Sequence, residues 1–503
     1  MSKLLEGNGN GNETGGLPPP AKKRTPPPTA SVPSSEAKES QVSLETRDGL
    51  EAHGLPVRIT RHHVVFELYS PTVTLRFSEA LPVFQIVLQG RPVYSGRAVV
   101  RNLVDAGAKL MCEATLDETQ WTDLNLILAL QQEGRLASEF KSFLKEWQKL
   151  YIVLPEFKVA VADLQTFLHD LRLWLNQLEL CAHTASKPEA SRREKDLGRQ
   201  IGENTTPILT QMFEKFEDII RRIDPDLAGP HRAFARRMLH PLLLSSPFLQ
   251  RTYYKPLGYA GDYEMVNMMF RDPLEGESLF AKVVNLWFLQ QPPAQAHRNR
   301  IDYLVRRLSE TAFRTMNAGK RARVLSIGCG PAVEVQQFMA REFPGEHLHF
   351  TLMDFNRETL DYTRGVLEQI KSRHPSDLSM EFVQKSVDRI LRDGSRRVTT
   401  VREGYDFIYC AGLFDYLADP ICRRLTEIMY EWLNPKGLLV VTNVSTANPR
   451  TPTMDYIMDW HLIYRSAQDL RTLKPAQAPA EECVVKMDDT GVNIFLEAQK
   501  ISP

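Results

Sequence analysis

The chain has 503 residues, with 62 basic side chains balanced by 62 acidic ones and six cysteines. That balance excludes the strongly basic field that marks a nucleic-acid or anionic-membrane partner, and the length allows two or three domains with separate cores. The cysteines (Cys112, Cys181, Cys329, Cys410, Cys422 and Cys483) form no CxxC pair, which argues against a zinc site or a disulfide framework and leaves reduced thiols, with no metal, as the expectation.

Residues 1–48 are rich in Gly, Asn, Pro, Ser and Thr and include "PPPAKKRTPPP". So little apolar surface cannot offset chain entropy, so a disordered tail is predicted. The N-terminus lacks the apolar core of a signal peptide, and no window approaches about 18 consecutive apolar residues. These features predict a cytoplasmic protein with no integral membrane segment.

Residues 49–118 carry short alternating runs such as "RITRHHVVFELYS", "TVTLRF" and "FQIVLQG", the pattern of a small antiparallel barrel or sandwich. Residues 119–320 shift to helical spacing. A stripe of Phe140, Phe143, Leu144, Trp147, Leu150, Tyr151 and Leu154 predicts an amphipathic helix, with further helices around 200–248 and 276–317. Between them lies "KPLGYAGDYEMVNMM", from Lys255 to Met269. Gly258 and Gly261 flank Tyr259 there, which predicts a loop passing close to a ligand, with Tyr259 facing it and Asp262 capping the helix that follows.

From 321 to 503 apolar runs alternate with helical patterns, the βαβ rhythm of an α/β domain with an open, mostly parallel sheet covered on both faces, closed by a terminal hairpin. The run "VLSIGCGPAVEV" takes a strand into Gly328-Cys329-Gly330 and then a helix. Val333 stands where a dinucleotide fingerprint needs its third glycine, so a nucleoside without a diphosphate fits better. Asp354 closes the next strand in "FTLMDFN", placed to accept from both hydroxyls of a ribose. Ser386-Val387-Asp388 follows the third strand; the resemblance of the glycine loop and Asp354 to class I S-adenosylmethionine-dependent methyltransferases implies an adenine contact there. After the fourth strand comes "CAGLFDYLADP". It has neither the Asn/Asp-Pro-Pro-aromatic segment of adenine-N6 enzymes nor a Pro-Cys nucleophile, so nucleobase chemistry is disfavoured. "NVSTANPRTPTMDYIMDWHLIYRS" follows the fifth strand. Asp455 and Asp459 share a face if that segment is helical; a carboxylate there could position an acceptor or act as base, and an arginine could hold a carboxylate.

The glycine loop with Asp354 resembles class I S-adenosylmethionine-dependent methyltransferases. Together with "GLFDYL", "NPRTPTMDYIMDWHLIYR" and "KPLGYAGDYEMVNMM", roughly residues 120 to 502 resemble the 3-hydroxypalmitic acid methyl ester synthase family of bacteria. The resemblance implies a Rossmann-like methyltransferase domain preceded by a helical lid. It implies S-adenosyl-L-methionine as cofactor, held by Gly328, Cys329, Gly330, Pro331, Glu334, Asp354, Ser386, Val387 and Gly412. It further implies a fatty or hydroxy-fatty acid substrate, converted to a methyl ester of the quorum-sensing kind. Tyr259, Arg298, Arg300, Phe414, Tyr416, Tyr456 and Trp460 would bind that substrate, and Tyr259, Asp455 and Arg465 would carry the chemistry. Two other readings stay open: an intramolecular cyclase that consumes the cofactor to make azetidine-2-carboxylate, and a non-catalytic sensor. The 49–118 segment is similar to a PilZ barrel, which implies cyclic di-GMP as a partner, although Arg58 and Arg61 in "RITR" are one residue too close and "NLVDAG" keeps Asn102 and Gly107 but has Val104 for the serine.

Overall fold

The computed structural model of the chain describes residues 40–46, 49–68, 75–88, 91–105, 110–117, 120–121, 141, 144, 152–182, 187–341, 348–373, 378–394 and 404–501. Six antiparallel strands form a closed barrel: β1 (Gln41–Glu45), β2 (Glu51–Ile59), β3 (His63–Leu68), β4 (Ala80–Leu88), β5 (Arg91–Asp105) and β6 (Leu110–Leu116). They run in the order β1-β2-β3-β6-β5-β4, with β4 paired back onto β1. Period-two alternation sends Val42, Leu44, Val64, Phe66, Phe84 and Ile86 inward, and closure gives every one of these strands a partner on both sides. The first strand is a correction to the expected boundary, because Gln41–Glu45 falls inside the predicted tail. "QVSLE" offers only two inward side chains, Val42 and Leu44, too few to register as a strand without its neighbours. Residues 1–39 lie outside the described residues, as does the stripe from Phe140 to Tyr151 apart from Leu144.

Among the described residues seven helices follow: α1 (Pro155–Ala182), α2 (Lys187–Ile220), α3 (Ala228–Leu243), α4 (Pro247–Tyr254), α5 (Tyr263–Phe270), α6 (Leu279–Leu289) and α7 (Pro292–Asn317). Every residue of α6 except Lys282 is buried, as befits a helix apolar on all sides. It lies at the heart of the helical region, where Trp287 stacks on Phe213 of α2 at 4.2 Å between ring centroids.

The remaining strands form one sheet: β7 (Ala322–Ile327), β8 (Leu348–Asp354), β9 (Ser379–Gln384), β10 (Tyr405–Cys410), β11 (Leu433–Val444), β12 (Cys483–Met487) and β13 (Asn493–Gln499). Their order is β9-β8-β7-β10-β11-β13-β12. Strands β7 to β11 are parallel, and β13 runs antiparallel to both its neighbours. Alternate side chains build two cores. Val324, Phe350, Phe407 and Val440 pack with Leu304 and Leu308 of α7; Leu325, Ile408, Leu439 and Val441 pack with Leu425, Ile428 and Met429 of a helix spanning Asp419–Trp432. Strand order reverses between β7 and β10, so a crevice opens at their carboxyl ends.

The three parts are knitted together there. The segment after β11 inserts Met454, Ile457 and Trp460 into the helical core. The barrel bonds to the end of α4 and the loop from Lys255 to Asp262, called the cover loop below: Ala80 N–H donates to Gly258 O at 2.6 Å and Arg97 Nη2 to Tyr253 O at 2.7 Å. Ser78 Oγ accepts from the backbone N–H of His461 at 3.3 Å. Among the described residues no helix is long and apolar enough to cross a membrane.

Candidate active site

A cavity of about 1220 Å³ occupies the crevice. Its polar end begins where β7 runs into the glycine loop. Gly330 has φ +51°, and a Cβ built on it would meet nothing within 4 Å; the backbone therefore faces open space in a conformation that suits glycine. Asp354, at the end of β8, accepts from Gly330 N–H at 3.1 Å and from Asn356 N–H at 2.9 Å. Burial pushes its pKa up, while those N–H groups and the nearby Arg76 push it down. The carboxylate is thereby tied to the glycine loop and turned toward the cavity it lines.

Three charged groups stand beside the loop. Arg300, on α7, is buried, and among the described residues its Nε has no hydrogen-bond partner. Its Nη1 would lie 3.0 Å from a Cβ on Gly412, the glycine after β10. Burial lowers its pKa, and the charges of Asp415 and Glu334 act in the opposite direction. Glu334, in the first turn of the helix after the glycine loop, accepts from Tyr409 Oη at 2.7 Å, and burial raises its pKa. Asp415 accepts from Val444 N–H at 2.6 Å and is pushed up to about 6 by burial. A buried guanidinium with an open donor beside two buried carboxylates matches a zwitterion, the head of an amino acid.

The other end of the cavity is apolar, lined by Phe248, Met265, Met269, Trp287, Phe288, Met454, Met458 and Leu462. Arg450 also lines it, but its charge is matched by Glu217 at 2.7 Å, and Gln291 Oε1 accepts from its Nε at 3.0 Å. At the junction of the two ends, Tyr416 Oη accepts from Trp460 Nε1 at 2.9 Å. A phenol that accepts in this way keeps its own proton to donate.

The cover loop closes over this junction. Lys255 sits at φ +48° as the C-cap of α4, and its buried Nζ donates to Asp459 O at 2.8 Å. Tyr259 lines the cavity with its ring 5.4 Å from that of Phe355. A Cβ on Gly261 would come within 2.8 Å of Tyr416 Oη, so only glycine lets the loop approach without displacing the phenol. Asp262 caps α5 through Met265 N–H at 2.8 Å and pairs with Arg251 at 2.8 Å.

The cavity wall therefore brings together Tyr259, Arg300, Gly328, Cys329, Gly330, Pro331, Glu334, Asp354, Val387, Gly412, Tyr416 and Trp460. Six other expected residues are spent elsewhere. Arg465 is buried and binds Asp419, Asn443 Oδ1 and the carbonyls of Phe414 and Leu417, a clamp on the loops after β10 and β11. Phe414 points into the core under the sheet. Asp455 accepts from His461 Nδ1 at 3.0 Å, and Tyr456 packs on Phe157 beneath the Arg232 guanidinium. Ser386 is the N-cap of the helix Val387–Asp393. Arg298 donates to the carbonyls of Met269 and Leu289, bracing α5 and α6 against α7.

Among the wall residues that escaped the sequence reading are Asp415, His297, Phe355 and Arg76. Asp415 lies between the two aromatic residues chosen from "GLFDYL", and the turn at Phe414–Tyr416 aims it inward. His297 is one turn from Arg300 on α7. Its Nδ1 lies 2.9 Å from Pro293 O, which only accepts, so Nδ1 carries the proton. Burial, and Arg300 beside it, hold its pKa down to about 3, which leaves Nε2 as an unprotonated acceptor.

No family model and no curated protein matches the chain. Solved structures do align with about half of it. A possible exported protein from Bordetella parapertussis is 18% identical, over 50% of this chain and 86% of that one, with a TM-score of 0.38. Magnesium protoporphyrin IX methyltransferase from Synechocystis PCC 6803 with bound SAH is 10% identical, over 50% and 98%, at 0.33. The N-methyltransferase NodS from Bradyrhizobium japonicum WM9, in complex with S-adenosyl-L-homocysteine, is 14% identical, over 50% and 100%, at 0.29.

Proposed function

We propose that the chain is an S-adenosylmethionine-dependent methyltransferase that esterifies the carboxylate of an apolar, fatty or hydroxy-fatty acid. The observation that carries this reading is the two-ended cavity. At about 1220 Å³ it exceeds the roughly 300–1,000 Å³ typical of a single-ligand pocket, and its two ends differ in chemistry. The polar end offers an ammonium and carboxylate receptor in Glu334, Asp415 and Arg300, and a diol acceptor in Asp354. Glycine at 330 leaves room for a ligand against the backbone. The apolar end suits an acyl chain. A one-substrate cyclase has no use for that second chamber.

Arg300, Glu334, Asp415 and Asp354 would hold S-adenosylmethionine there, and it would supply a sulfonium methyl for an O–C bond to a carboxylate oxygen, the C–S electron pair staying on sulfur as the neutral thioether. Because a carboxylate is already ionised at neutral pH, the residues need not remove a proton. Their work is positioning and exclusion of water. Arg300 would hold the amino-acid carboxylate, and Asp354 would fix the ribose. Tyr416, oriented by Trp460, donates to the acceptor oxygen that does not attack. The cover loop seals the junction through Tyr259.

Incubating purified protein with S-adenosylmethionine and 3-hydroxypalmitate should yield S-adenosylhomocysteine and methyl ester in equal amounts, by mass spectrometry, and only when the acid is present. Methylthioadenosine formed from the cofactor alone would instead establish cyclisation. Tight cofactor binding with no product from a panel of acids would leave the sensor.

A further inference from the structure

The N-terminal barrel does more than sit beside the methyltransferase domain. Its segment from Leu75 to Phe77 reaches the cavity wall. There the guanidinium of Arg76 lies 3.7 Å from the ring centroid of Phe355, the residue that follows Asp354. On these contacts we infer that Arg76 is a positioning residue for the adenosine half of the cofactor, so that the binding site is completed by the barrel; the inference rests on the cofactor reading proposed for the polar end of the cavity.

The turn that carries Arg76 is held from several sides. Leu75 belongs to the barrel core. Arg76 N–H donates to Glu79 Oε2 at 2.7 Å, and Ser78, at φ +61°, donates from its N–H to Val100 O at 2.8 Å. Val100 N–H returns a bond to Glu79 O at 2.8 Å, and Ala80 N–H is bonded to the cover loop at Gly258 O. The guanidinium is therefore presented by a fixed turn. With its Cζ over the Phe355 ring, it stands beside the carboxylate proposed to accept from the ribose. Its charge also opposes the upward push of burial on Asp354. Tyr259, on the cover loop, packs on the same Phe355, so one aromatic ring joins barrel, cover loop and sheet.

The test compares two ligands by calorimetry on the full chain: S-adenosylhomocysteine, and 5′-methylthioadenosine, which lacks the amino-acid half. Arg76→Met, which keeps the packing of the stem, should weaken both by the same factor of about ten. Arg300→Met should weaken S-adenosylhomocysteine alone. Arg76→Lys keeps the charge without the plane and should fall between wild type and Arg76→Met for both ligands; it carries the same test should Arg76→Met not fold. Unchanged affinity for both ligands in the Arg76 variants overturns the inference, as does a loss confined to S-adenosylhomocysteine. A merely structural role predicts a lower thermal midpoint with both affinities intact. Failure of the wild-type chain to bind S-adenosylhomocysteine is a separate outcome, which removes the cofactor reading itself.

Discussion

The glycine loop after β7 and the cover loop from Lys255 to Asp262 line the same cavity, but different forces hold them. The glycine loop is shaped by its own strand and by the next one: Cys329 N–H donates to Met353 O at 2.9 Å, and Gly330 N–H to Asp354. The cover loop is shaped by residues far away in the chain. Ala80 holds Gly258 from the barrel, Asp459 holds Lys255 from the segment after β11, and Tyr416 sets how close Gly261 can come. A loop of the first kind responds to substitution as a binding site. One of the second kind responds as a joint, where a change reaches whichever domain it was tied to.

The largest test of that contrast is Gly330→Glu. The backbone at φ +51° strains any other L residue, and the new side chain would project into the open space beside the loop. S-adenosylhomocysteine affinity should fall by at least about 100-fold, over 2.7 kcal/mol, with the thermal midpoint little changed. Cofactor binding near the wild-type level would show that the loop does not face the ligand.

Gly261→Ala should do the reverse. The added methyl would stand 2.8 Å from Tyr416 Oη, and the phenol, bonded to Trp460, has to give way. Turnover with acid should drop about tenfold, a barrier increase near 1.4 kcal/mol, while S-adenosylhomocysteine affinity holds. An equal loss in both would place the junction on the cofactor and not on the acceptor.

How much of the site was legible in the sequence depends on the same contrast. The sheet, its order of loops, Gly330 and Asp354 were readable because each depends on a short run and its neighbours. The rest of the cavity wall was not. In "GLFDYL" the aromatics Phe414 and Tyr416 stand out, but the short turn buries Phe414 and turns Asp415 inward. Arg300 and Arg465 were indistinguishable as candidate anion binders. Among the described residues Arg300 Nε is left unpartnered while Arg465 is surrounded by acceptors, a difference set by partners on other elements. The contribution of Arg76 required knowing that the barrel docks against Phe355, more than 270 residues further along the chain than Arg76.

Tyr259→Ala probes the joint more gently. Its ring packs on Phe355 at 5.4 Å between centroids, and such aromatic pairs contribute about 0.5–1.5 kcal/mol beyond area burial. S-adenosylhomocysteine affinity should weaken about three- to tenfold, together with turnover, because the cover loop keeps its ties through Gly258 and Lys255. Unchanged binding and turnover would make the loop a purely structural cover.

The smallest effect should come from Ser386→Ala, and it sharpens the contrast by lying just outside it. Ser386 follows β9, where the resemblance implies an adenine contact, yet its hydroxyl accepts from Arg389 N–H as the cap of the helix Val387–Asp393. Losing such a cap costs about 1 kcal/mol of stability, and nothing in the cavity wall is altered, since Val387 and Asp388 line it and Ser386 does not. Chemical denaturation should register the loss while calorimetry finds S-adenosylhomocysteine binding unchanged. A weaker affinity would mean that capping the helix is what places Val387 and Asp388, and the loop after β9 would then join the cover loop as a site held by its supports.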